Sequence, residues 1–179
     1  MVSTRVDELN SERHRFALGI FMAVVVAHWA EHLAQAVQIY VLGIPRPAAG
    51  GVLGSVLPWL VHSEALHYGY ALVMLIGLVA LRPGFVGRAR TWWTAALVIQ
   101  VWHHFEHLLL LGQVVAGANL AGRPVPTSVL QLAVPRVELH LFYNAVVFAP
   151  MVVAMILHRK PSADERALTR CQCARPVLV

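Results

Sequence analysis

Apolar residues run in four long blocks along this chain, and glutamate and histidine interrupt each block at helical spacing. The blocks cover 16–42, 57–81, 91–117 and 136–158. Each is long enough to cross about 30 Å of hydrocarbon, which takes about 20 helical residues. The pattern predicts an all-α integral membrane protein, a four-transmembrane-helix bundle over 16–158. Before it lies a polar, interfacial arm, 1–15; after it lies a basic tail, 159–179, expected to be disordered and cytoplasmic. The short link Arg82-Pro83-Gly84 makes spans two and three antiparallel neighbours. The loops at the other end, around 45–51 and 122–126, are rich in Pro and Gly and keep apolar residues beyond them. They are expected to fold back over the bundle as caps.

Composition agrees. Hydrophobic residues make up 58% and charged residues only 13%, and the mean hydropathy is +0.64, which excludes an ordinary soluble domain. The first block is too long for a signal-peptide core, so it reads as a span. Cationic residues divide unevenly. Eleven (Arg5, Arg13, Arg15, Arg82, Arg88, Arg90, Arg159, Lys160, Arg166, Arg170, Arg175) fall on the side of the termini, against Arg46, Arg123 and Arg136 opposite. That bias places both termini in the cytoplasm of a bacterial-type inner or plasma membrane. It also explains the net charge of +5 through anionic lipid, without nucleic acid. Trp92 and Trp93 suit the inner interface, Tyr40 and Trp59 the outer. Cys171 and Cys173 lie in the tail, so no disulfide framework builds the fold; they read as solvated, reduced thiols.

The chain repeats itself. A shift of 75 places His28, Glu31, His32, Leu33 and Gln38 on His103, Glu106, His107, Leu108 and Gln113. With slight slippage, Glu64, His67 and Tyr70 answer Glu138, His140 and Tyr143. The repeat reads as a duplicated two-helix hairpin with a pseudo-twofold axis along the membrane normal.

The repeated positions carry chemistry. Positions i, i+3 and i+4 share a helix face. His28, Glu31 and His32 therefore point one way, as do His103, Glu106 and His107, and Glu64 with His67. Glu138 and His140 are two apart and converge only if the helix start is irregular, which Pro135 permits. Intramembrane ionisable groups are costly and mark function. These ten residues are the candidate ligands of a metal site: His28, Glu31, His32, Glu64, His67, His103, Glu106, His107, Glu138 and His140. Their depths differ by roughly 10 Å at 1.5 Å per residue, which favours two divalent ions over one. Oxygen and nitrogen donors favour iron, with manganese or zinc as alternatives. Gln35, Gln38, Tyr70, His104, Gln113, Tyr143 and Asn144 are the candidate supporting groups around the ligands. His62 suits the outer interface, and His14 and His158 need no special role there. A plain register-locking Glu–His pair would explain any one span, though not the same spacing in four.

The leading functional expectation is a di-iron-like membrane oxidoreductase acting on a lipophilic substrate, with dioxygen as co-substrate. Lipids are its surroundings, a homodimer is compatible, and an electron-donor protein would dock on the basic face. A metal-ion or proton transporter is the alternative, and a b-type haem protein the third.

Overall fold

A computed structural model describes residues 5–174, without the side chains of His62 and Ala174. Every regular element among them is helical. Helix α1 (Arg5–Leu9) is a short polar turn. Asn10 then anchors the arm, donating to the Ala80 carbonyl at 2.9 Å and accepting from Gly84 N at 2.9 Å. Helix α2 (His14–Tyr40) is the first long helix. Two short helices, α3 (Gly51–Val56) and α4 (Pro58–His62), follow in the first loop. Pro58 opens α4 where its missing N–H costs nothing. The chain then re-enters the bundle through Ser63, whose hydroxyl caps α5 (Glu64–Leu81) by accepting from Leu66 N. A tight turn at Arg82–Gly84 leads to α6 (Gly87–Ala116) and, after the second loop, α7 (Arg136–Arg159).

Three helices are long and apolar enough to cross a membrane: His14–Tyr40, Glu64–Gly84 and Arg136–Arg159. Their apolar residues cover all faces, and Ile20, Val24, Val73, Ile76 and Ile156 point outward. A helix apolar all round belongs in hydrocarbon or a large core, and this chain has no large core. At 30 residues, α6 is the longest helix, but three histidines, a glutamate and two glutamines lower its hydropathy.

Helix α6 packs between α5 and α7, and α2 closes the ring against both. The core has two layers. Near the termini it is dry: Phe21, Leu78, Trp93, Ala96, Val147 and Met151 pack together. Trp93, expected at the interface, is fully buried there and donates to the Leu78 carbonyl at 2.8 Å. Toward the loops, histidines replace the apolar residues.

The tail departs from the disordered segment expected. Residues 163–168 form α8 (Ala163–Leu168), opened by a capping box between Ser162 and Glu165. Glu165 also accepts from Arg88 N at 2.9 Å and pairs with the Arg88 guanidinium at 3.2 Å. Sequence composition marked the segment as polar and basic, but not that Arg88 would tie it down. Residues 1–4 and 175–179, both in segments read as polar termini, lie outside the described residues.

Candidate metal centre

Six histidines from all four long helices converge beneath the loops: His28 and His32 on α2, His67 on α5, His103 and His107 on α6, and His140 on α7. The i, i+4 spacing stacks each pair on one face. Nε2 of His28 lies 3.0 Å from Nε2 of His32, and Nε2 of His103 lies 3.2 Å from Nε2 of His107. Two ligand bonds of about 2.0–2.1 Å at a near-tetrahedral angle separate their nitrogens by about 3.1–3.4 Å. The His103–His107 separation falls in that range and the His28–His32 separation just below it; both are also hydrogen-bond distances. His140 completes a triad with the second pair; ligand atoms of His103, His107 and His140 all lie within 4.8 Å of one another. The His140 ring also stands 5.0 Å from that of His32, and the His67 ring 6.2 Å from that of His107.

Hydrogen bonds orient the rings. Nδ1 of His67 meets the Ser63 carbonyl at 2.9 Å, and Nδ1 of His140 meets the Arg136 carbonyl at 2.8 Å. An Nδ1–H donated to a carbonyl fixes the tautomer with its lone pair on Nε2, the form that binds a metal. His140 Nε2 is buried and has no hydrogen-bond partner among the described residues; nor have His103 Nδ1 and His107 Nδ1. The unpaired buried Nε2 of His140 calls for a ligand.

The four glutamates are engaged elsewhere. Glu31 accepts from Leu53 N at 2.6 Å. Glu106 accepts from Leu130 N and the Ser128 hydroxyl, each at 3.1 Å. Glu64 forms a two-pronged pair with Arg136 at 2.5 and 2.7 Å. Glu138 pairs with Arg46 at 2.5 Å and accepts from the Tyr40 hydroxyl. The reason is physical. Loops that fold back over a bundle carry backbone N–H groups that must be satisfied away from water, and the nearest carboxylates do so.

Gln38 and Gln113 serve the same end. Gln38 bonds both N and O of Gly51, at 2.8 and 3.1 Å, and Gln113 bonds both N and O of Thr127, at 3.1 and 3.0 Å. The two halves thus repeat their loop clamps as well as their histidines. Tyr70 stacks on His28 with ring centroids 3.6 Å apart, and Tyr143 lies 4.2 Å from His103.

The halves differ at one support. Gln35 lies 2.7 Å from His32 Nδ1, whereas the matching position in the second half is Leu110. His104 stands outside the cluster against Tyr68, with ring centroids 5.1 Å apart. Asn144 lines a small space with Tyr143 and His103.

A cavity of about 590 Å³ opens beside the loops and reaches His32, His67 and His140. Its walls include Val61, Val114 and Arg136. No protein-family model, curated protein or solved structure matches this chain.

Proposed function

We propose that the chain is a four-span membrane oxidoreductase with a centre of two histidine-held transition-metal ions. His103, His107 and His140 would hold one ion; the His28–His32 pair would supply ligands to the other. The observation carrying this reading is the convergence of six imidazoles from four helices, with the buried Nε2 of His140 unpaired among the described residues and within ligand reach of His103 and His107. An imidazole-only donor set suits copper first and iron next, and suits manganese poorly. Such ions supply one-electron redox chemistry and activation of dioxygen, which concentrates with lipophilic molecules in the bilayer.

The chain's own groups account for the rest. The cavity gives a small apolar molecule access to His32, His67 and His140 from the loop side. Glu31 and Glu106 hold the loops over the histidines. Tyr70 and Tyr143 wall the centre on its deep side.

The two other readings fit less well. Transport needs a path to the far face, and the dry layer of Phe21, Leu78, Trp93 and Met151 fills the bundle below the histidines. Haem needs imidazoles on opposite sides of a ring; here each pair sits side by side.

Mass spectrometry of metal in detergent-purified protein tests the proposal, together with oxygen uptake in the presence of a lipophilic reductant such as a quinol. About two copper or iron ions per chain are expected, falling sharply in His107→Ala and His140→Ala. Glu31→Gln and Glu106→Gln should keep most of their metal. Full metal in both histidine variants would overturn the centre; bound zinc alone would overturn the redox role.

A further inference from the structure

A second group of ligands assembles at the opposite end of the bundle, beyond the dry layer. His14 from the start of α2, His158 from the end of α7, and Cys171 and Cys173 from the tail place one ligand atom each within 4.8 Å of one another. The spacing alone did not reveal this, because 144 residues separate His14 from His158 and the tail looked unstructured. The folded α8 segment brings the sulfurs back to the helix ends.

His14 is fully buried, and neither of its ring nitrogens has a hydrogen-bond partner among the described residues. The Leu9 backbone also lies near the ring. The position is built for the ring: a Cβ on Gly84 would fall 2.3 Å from His14 Cε1, so only glycine leaves room there. Phe85 and His158 pack edge-on to it, with centroids 5.2 and 5.4 Å away. His158 is 3% exposed and Cys171 0%. Nε2 of His158 lies 2.8 Å from Cys173 Sγ. A cleft lined by Met22, Met155, His158 and Cys173 leads to the group from the surface.

In the structure Cys171 and Cys173 are joined as a disulfide rather than lying free and solvated. A crosslink spanning one intervening residue closes almost no chain, so it contributes little as a staple. Two thiolates and two imidazoles form a closed, four-ligand zinc set. We propose that, once reduced, His14, His158, Cys171 and Cys173 bind a single Zn²⁺ ion that fastens the tail to the ends of α2 and α7. Reduction by a dithiol transfers two electrons and two protons to the Cys171–Cys173 bond, giving two thiols and an oxidised dithiol. Zinc then displaces one proton from each thiol and keeps its own oxidation state. The site is a thiol-controlled latch. It takes the metal when the sulfurs are reduced and loses it when they pair with each other, the tail staying packed against the helix ends in the disulfide form.

Cobalt substitution isolates this site from the histidine cluster, because the chain has only two cysteines. A thiolate-to-cobalt charge-transfer band can come from nowhere else. Full-length protein in detergent would be titrated with Co²⁺, then with Zn²⁺ as competitor, before and after dithiothreitol treatment and its removal under argon. The expected result is a thiolate band in reduced protein that saturates with one cobalt per chain bound at this site, is absent in oxidised protein, and is bleached by Zn²⁺. Cys173→Ser, at a partly exposed position, should weaken Co²⁺ binding at least tenfold, and His158→Ala should do the same while leaving the sulfurs intact. No thiolate band in the reduced wild type overturns the proposal, as does an unchanged titration in both variants. The comparison of oxidised with reduced wild type does not depend on any variant folding.

Discussion

Glycine at position 51 shows how tightly single residues constrain the loop end. Its φ is +74°, and an added Cβ would lie 2.3 Å from the Glu31 carboxylate oxygen. Gly51→Ala therefore meets both backbone strain and a clash, and should destabilise by about 1–3 kcal/mol. Gly69, in α5 with nothing within 4 Å, is the control; Gly69→Ala should be neutral or stabilising by up to about 1 kcal/mol. Thermal unfolding in detergent compares the two. The same scale explains what a sequence reader could and could not see. Histidine positions are legible because i, i+4 spacing on a long apolar helix fixes which way they point. The carboxylates shared that face in the one-dimensional pattern, but they lie one step to the side. There the returning loop backbone and Arg136 or Arg46 compete for them. Spacing says nothing about such a competitor, because it arrives from a distant part of the chain.

Among the elements, the two loop clamps are equivalent and share no hydrogen-bond partner, so their energetics should add. Gln38→Ala strips Gly51 N of its side-chain acceptor and Gly51 O of one donor, the Ser55 hydroxyl remaining, and Gln113→Ala removes the side-chain partners of Thr127 N and O. Each should cost about 1–3 kcal/mol, and the double variant about the sum. Limited proteolysis should localise the damage, with new cuts in 45–56 for the first and 118–134 for the second. The tail helix α8 carries a pH signature instead. The Arg88 guanidinium, then the backbone N–H groups of Ser162 and Arg88, pull the Glu165 carboxyl from 4.5 down to about 2. A lowered pKa stabilises the docked form fully above the unfolded value and loses that contribution as pH falls toward 2. Tail protection from protease should accordingly persist at pH 4 in the wild type. In Arg88→Ala the loss should move up toward pH 4–5.

For the whole molecule, an all-helical chain with helices long and apolar enough to cross a membrane was readable from hydropathy. The structure repeats the clamps and the ring pairs, at residues the shift of 75 superposes. What sequence left out were the long-range closures: tail onto arm, and each half's glutamate onto an arginine of the other half. Glu64 is nearly buried while Arg46 is half exposed. Glu64→Gln should thus cost at least about 1 kcal/mol more than Arg46→Gln, read from thermal unfolding. The near-symmetry also has a flaw with a use. Gln35 supports His32, but Leu110 stands in its place in the other half and His107 Nδ1 is left bare. A ring hydrogen-bonded to an amide oxygen is a stronger electron donor than one that is not. Two ions held by these halves would be unequal partners, with the extra electron of a half-reduced pair settling beside Leu110. In such a centre one changed side chain would give electrons a direction to travel.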